Sequence, residues 1–129
     1  MASQDYKFFQ CDNELEEQVE NFLNKYMIVN KLKGREYLKD MIIYSINYHK
    51  NYNTTIDLKE LYLIMKKYKG TKTWFVIRRL SDYACNDFFK RNGNKSLAIT
   101  PKLLIIKAIY EINFKEEFDY YDDKKNKLF

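Results

Sequence analysis

One proline and three glycines are spread over 129 residues, and this scarcity of breakers constrains the fold more than any single motif. Glycine and proline punctuate a chain, so without them an apolar-periodic run continues until capping residues stop it. Long helices are therefore expected, rather than many short strands. Hydrophobic residues make up 46% and aromatics 17%, a composition that folds rather than stays disordered. The length suits one domain with a single core.

The runs follow in order. "DNELEEQVENFLNKY" opens with an Asp/Asn cap and first-turn acids, and spaces Leu15, Val19, Phe22 and Leu23 along a helical face. After "VNKLKG", "REYLKDMIIYSINYHK" sets Tyr37, Leu38, Met41, Ile42, Ser45 and Ile46 on one side of a second helix. "NYNTT" reads as a loop, with Thr55 or Asp57 as cap of a third helix carrying Leu58, Leu61, Tyr62, Met65 and Tyr68. Gly70 can take the left-handed conformation that ends it, and Thr71 or Thr73 can cap a fourth helix from about Thr73 to Lys90. Thr100 and Pro101 then mark a strong helix start, followed by Leu104, Ile105, Ala108, Ile109 and Ile112. The sum is an all-α, compact five- to six-helix domain over residues 13–114. Residues 1–12 read as an N-terminal extension and residues 115–129 as a charged, aromatic tail or short helix.

Charge is distributed unevenly. The formal net charge is +5, but residues 21–114 hold 18 Lys or Arg against 7 Asp or Glu, a balance of +11. A basic body between less basic ends fits a polyanion such as DNA, RNA or an anionic membrane, and also fits a merely solvated Lys-rich surface. The stretch "KELYLIMKKYKGTKTWFVIRRL" concentrates the cations: Lys66, Lys67, Lys69, Lys72, Arg78 and Arg79 occur there with no acid between them.

Stepping about 100° per residue from Val76 gathers Val76, Ile77, Leu80, Tyr83, Ala84 and Phe88 as the core face of the fourth helix. Phe75, Arg78 and Asp82 cluster opposite, with Arg79 and Asn86 on one flank and Trp74 on the other. A groove-reading helix needs this arrangement, because Arg forks onto guanine and an apolar side chain meets a thymine methyl. Phe75, Arg78, Arg79 and Asp82 are thus the candidate base contacts. Lys66, Lys67, Lys69, Thr71 and Lys72, on the preceding helix end and turn, are the candidate phosphate contacts. The pair of helices reads as a helix-turn-helix, although the ordinary motif would place an apolar residue near Arg79.

"LKGREYLKDMI", followed by "LYLIMKKYKGTKTWFVIRRLSDYACNDFF", resembles the C-terminal DNA-binding domain of the sporulation stage-zero A response regulator family. Gly34, Tyr37, Leu38 and Ile42 match that family's Gly-x-x-Tyr-Leu helix. Leu61, Tyr62, Lys67, Thr71, Val76, Arg78, Leu80 and Phe88 then fall in matching or similar places without a gap. The likeness covers about residues 15–113. It implies a six-helix domain whose fourth helix enters the major groove, copies that bind adjacent DNA boxes head to tail, and Arg78 as the base-reading arginine. The departures are Phe75, Ile77 and Asp82, where the family has Arg, Glu and His, together with Leu63 for its Pro and Gly70 for its Asn. The core positions match while most base-contacting chemistry differs, so the family's target site is not carried over. About twenty residues precede the match, so its phosphate-accepting receiver domain is not expected.

Other functions are disfavoured. His49 is the only histidine, read as a surface residue in a loop, and no Gly-rich phosphate loop, metal-ligand cluster or nucleophile motif occurs. No enzyme activity, cofactor or small-molecule substrate is expected. Cys11 and Cys85 lack C-x-x-C spacing, which fits idle thiols in a reducing compartment. No secretory signal and no run of eighteen apolar residues is visible, so a cytoplasmic protein off the membrane is expected. The expectation is a DNA-binding regulator or plasmid- or phage-borne site binder, with double-stranded DNA as partner and a homodimer on DNA as one arrangement. The rival is a protein-interaction module on the same scaffold, using Trp74, Phe75 and Phe89, with "EEFDYYDD" of the tail docking a partner or covering the basic face.

Overall fold

The computed structural model describes residues 6–93 and 99–114, and the expected tail lies outside them. A short 3-10 helix, Tyr6–Phe9, precedes five α-helices: α1 Asn13–Lys25, α2 Lys33–Tyr52, α3 Leu58–Lys69, α4 Trp74–Arg91 and α5 Pro101–Asn113. No strand occurs among the described residues, and the fold is all-α as expected. The helix ends follow from local chemistry. Leu15 N–H donates to Asp12 Oδ1 at 2.8 Å, and Leu103 N–H to Thr100 Oγ1 at 3.2 Å with Pro101 opening α5. Gly70 closes α3 at φ 68°, its N–H donating to the Lys66 carbonyl at 2.9 Å.

α2 is the axle of the bundle. Leu38, Met41, Ile42 and Ile46 are fully buried, and Ile43 and Tyr44 are buried on the side expected to face solvent. The N-terminal segment covers that side. Phe8 meets Tyr44 edge-on at 5.3 Å between ring centroids, and Phe9 stacks on Tyr68 of α3 at 4.0 Å. The Asn47 amide donates to the carbonyls of Phe8 (2.8 Å) and Gln10 (2.9 Å), holding the segment against α2. Phe8 and Phe9 are therefore part of the core, with Tyr6 packed against it. His49 likewise sits in the last turns of α2, with its ring edge-on to Phe114 and Nδ1 3.4 Å from the Asn113 amide, not in a loop.

α2 and α4 approach closely at Gly34. A Cβ placed on Gly34 would come 1.9 Å from the Leu80 carbonyl oxygen and 2.8 Å from Ala84 Cβ. Only small side chains fit along such a line. α4 buries the small Ser81, Ala84 and Cys85 together with Ile77 and Asp87, whereas Val76, Leu80 and Phe88 are only partly covered and Tyr83 is 50% exposed. This corrects the expected core face of α4: the helix is turned toward Ser81 and Cys85. Centring the helical face on Val76 brings in Val76, Tyr83 and Phe88, whereas the structure centres it nearer Ser81, keeping Ile77 and Ala84 buried as expected. Burial pushes the Cys85 thiol up to about 12, and both cysteines are free.

α1 is clamped to α2 by charge. Arg35 is buried (5% exposed), donating through Nη1 to the Ile28 carbonyl and through Nη2 to Glu20 Oε2 at 2.5 Å. Lys39 reaches Glu16 at 2.8 Å and Glu20 at 3.0 Å. Burial works to raise the Glu20 carboxyl, but the hydrogen bonds and charges of Arg35 and Lys39 outweigh it and hold the group below its ordinary value.

Two predictions follow from these contacts. Alanine at an exposed helical glycine stabilises by about 0.5–1 kcal/mol, but Gly34→Ala should instead destabilise by about 1–3 kcal/mol through overpacking, read as a lower urea midpoint at unchanged slope. The lowered Glu20 group contributes stability above the ordinary value of 4.5, and that contribution is lost as pH falls through its folded value. The stability gap between Glu20→Gln and the native protein should therefore be clear at pH 7 and shrink progressively as pH falls below 4.5; a series of urea melts across that range would expose a gap that does not shrink.

Candidate nucleic-acid interface

α3 and α4 are joined by the turn Gly70–Thr73. Thr71 N–H shares the Lys66 carbonyl with Gly70 N–H, and Thr71 Oγ1 donates to the Thr73 carbonyl at 3.2 Å. Buried Tyr62 stacks on the half-buried Trp74 with ring centroids 6.2 Å apart, so the first turn of α4 is fastened to α3. Burial, reinforced by Asp82, pushes the Tyr62 phenol far above its ordinary value and keeps it neutral.

Beyond that anchor α4 turns outward. Phe75 is 53% exposed, Arg78 and Arg79 are exposed, and Asp82 is partly exposed one turn on from Arg78. The Arg78 guanidinium lies 5.9 Å from the Phe75 ring centroid, and its Nε is 3.9 Å from Asp82 Oδ2. At that separation the carboxylate orients the guanidinium without a tight hydrogen bond, and an exposed pair of this kind is weak. Arg78 is therefore steered yet free to exchange partners. Burial raises the Asp82 carboxyl, opposed by Arg78. The Asn86 amide turns back to the Asp82 carbonyl at 2.9 Å. All four candidate base contacts thus share the outward half of α4.

The candidate phosphate contacts divide. Lys66, Lys67 and Lys72 ring the turn, and no ion pair among the described residues engages them or Arg79. Thr71 is partly buried with its hydroxyl spent inside the turn. Lys69 points the other way: its Nζ lies 2.6 Å from Asp40 Oδ2 and 3.6 Å from Glu36 Oε1, on α2. Burial works to lower its ammonium, but the bond to Asp40 outweighs this and raises it. Lys69 braces α3 on α2 rather than facing outward with its neighbours.

Two cations escaped the linear reading. An open groove of about 600 Å³ runs beside α4, with Arg78, Asp82 and Asn86 on one wall and Lys59, Tyr62, Pro101 and Lys102 on the others. Lys59 and Lys102 are exposed and free of ion pairs among the described residues. Lys102 reaches this place through the packing of α5, and the only signal in the sequence was the general excess of positive charge. Of the expected aromatic surface, Phe75 is open, Trp74 is half-buried on Tyr62, and Phe89 is partly buried against Phe88. Among the described residues no three His, Cys, Asp or Glu side chains converge as a metal-ligand set, and no helix is long and apolar enough to cross a membrane.

Comparison with models of known protein families, with curated proteins and with solved structures gives no match.

The division among the lysines is testable by stability alone. Lys69→Ala should cost about 1 kcal/mol by removing the partner of Asp40, whereas Lys67→Ala should stay within about 0.5 kcal/mol of the native protein. Equal effects in chemical denaturation would refute the distinction.

Proposed function

We propose that this chain binds double-stranded DNA, with α3 and α4 acting as a helix-turn-helix and α4 lying in the major groove. One observation carries the reading. The outward half of α4 presents two arginines, Arg78 and Arg79, beside an exposed Phe75, and the cations around it stand unpaired while acids elsewhere hold theirs. Arg78 and Arg79 suit guanine edges, Phe75 suits a thymine methyl, and Asp82 orients Arg78 or accepts from a cytosine amine. Lys66, Lys67 and Lys72 flank one end of the helix, and Lys59 and Lys102 line the groove at its side; these five serve the phosphates and fix register. Lys69 and the Thr71 hydroxyl, already engaged, hold the turn in shape.

The resemblance to the sporulation stage-zero A effector domain supports the same placement, because Arg78 stands at its base-reading arginine and Gly34 at its helix glycine. With Phe75, Ile77 and Asp82 departing from that pattern, the chain reads a site of its own, as a transcriptional regulator or a plasmid- or phage-borne site binder. A homodimer on adjacent half-sites is compatible with this reading. The rival is a protein-interaction surface, favoured by the exposure of Phe75 and Tyr83 on one helix.

Fluorescence anisotropy on random duplex DNA, followed by sequencing of the bound fraction, tests the proposal. Five phosphate contacts give a slope of about −4.5 in log affinity against log salt. Arg78→Ala with Arg79→Ala should weaken binding to the enriched site by at least tenfold, since each bidentate contact contributes about 1–3 kcal/mol. Undiminished affinity in a double variant that keeps its circular dichroism would overturn the reading. Salt-insensitive capture of a protein would favour the rival.

A further inference from the structure

α5 carries a second apolar face. Its core side is Leu104, Ile105, Ala108 and Ile109, and at helical spacing Leu103, Ile106, Tyr110 and Phe114 fall on the opposite side. Leu103 is 46% exposed and Tyr110 53%, while Ile106 and Phe114 are partly covered. The Tyr110 and Phe114 rings lie 5.6 Å apart, and nothing among the described residues covers the strip they begin. It runs the length of α5, from Phe114 to Lys102 on the wall of the groove beside α4. In that groove Lys59, Arg78 and Lys102 stand against one acid, Asp82, which Arg78 already faces. An exposed apolar strip leading into a basic groove marks an interaction surface, and it asks for a partner that is aromatic and then acidic.

The sequence that continues from Phe114 has that chemistry. After Lys115, "EEFDYYDD" (residues 116–123) holds five acids, three aromatics and no cation. We propose that this segment folds back along the outer face of α5, laying its aromatics on Leu103, Ile106 and Tyr110 and setting Asp122 and Asp123 against Lys102 and Arg78. The reach is sufficient. The twelve steps of helix from Lys102 to Phe114 rise about 18 Å, and the eight residues 115–122 span up to about 26 Å when extended. The other stretches outside the described residues, "MASQD" and "NKSLA", hold one acid and one lysine between them, so neither matches the groove's charge. Exposed ion pairs contribute little alone, so the aromatic contact does most of the holding and the acids set the position. A tethered segment acts at an effective concentration on the order of millimolar, so an intrinsic affinity of about 0.1 mM is enough for about tenfold self-competition. That consequence rests on the DNA-binding reading proposed above: the segment occupies cations that would meet phosphate, and a duplex must displace it.

The experiment compares amide NMR spectra of the full native chain with those of the double variant Asp122→Asn, Asp123→Asn, without DNA. The expected result is shifts at Lys59, Arg78 and Lys102 and along Leu103–Tyr110, unchanged on tenfold dilution. The control Glu14→Gln, Glu17→Gln, which neutralises two exposed acids of α1, should leave those signals in place. Shifts confined to the neighbours of residues 122 and 123 would overturn the proposal. Shifts that disappear on dilution would assign the segment to a second copy, and would overturn it too. Anisotropy on random duplex DNA then reads the competition. The Asp122→Asn, Asp123→Asn chain should bind about tenfold more tightly than the native one, and the α1 control no more than about twofold. Leu103→Ser with Tyr110→Ser should also tighten binding, at unchanged charge. Equal tightening in the α1 control would reduce the effect to net charge and overturn the competition. A chain that binds no duplex in any form refutes the DNA reading instead, and the NMR comparison still decides the docking.

Discussion

The contact on which the rest of the structure depends is the crossing of α2 and α4 at Gly34. With no Cβ there, the Leu80 carbonyl of α4 comes down onto the backbone of α2, closer than any side chain would allow. That closeness selects the seam of α4, where Ser81, Ala84 and Cys85 fit and a larger residue would not. A helix seated on small residues must carry its large ones elsewhere. Phe75 and Tyr83 are consequently displaced outward, while Trp74 finds cover on Tyr62. With Cys85 turned inward, Arg78 and Arg79 still face solvent.

Electrostatic pairing sharpens what packing begins. Five acids of α1, α2 and α5 take cations: Glu20 and Glu16 hold Arg35 and Lys39, Asp40 and Glu36 hold Lys69, and Glu111 holds Lys25. These pairs neutralise one side of the bundle and fasten its helices. Lys66, Lys67, Lys72 and Arg79 at the α3–α4 corner have no such partner among the described residues, so the formal charge of +5 understates the potential there. On the DNA-binding reading proposed above, unpaired lysines beside two arginines would draw the polyanion at long range, and the arginines would supply the short-range selectivity.

How much of this could be read from the chain divides along the range of the interaction. The caps at Asp12 and Thr100, Pro101 at the start of α5 and the left-handed Gly70 are local chemistry, and each was legible. So was the outward set on α4, because Phe75, Arg78, Arg79 and Asp82 lie far enough round the helix to survive its rotation. Legibility ended wherever a partner came from another element. Lys69 is indistinguishable from Lys66 and Lys67 in the run "KKYK" until Asp40 is placed beside it. Lys102 gains meaning only when α5 docks, and Phe8 and Phe9 only when Asn47 fixes the N-terminal segment over Tyr44. Ser81 and Cys85 were passed over because periodicity weighs hydrophobicity, whereas the Gly34 crossing weighs volume.

The same division bears on the two readings of α4. An interface built for protein would be expected to bury its aromatics against one another or leave them contiguous, with charge at the rim. Here Trp74 is already committed to Tyr62, and the Arg78 guanidinium sits by the Phe75 ring, breaking the aromatic surface with a cation at its centre. A duplex poses the opposite demand: fixed positive groups forward, an apolar neighbour for a methyl, and mobile lysines around the edge. Arg78, held loosely between Phe75 and Asp82, satisfies that demand at little cost, because a 3.9 Å exposed pair is surrendered easily to a base edge. The looseness of that pair, as much as the number of cations, favours DNA over protein as the partner of this face.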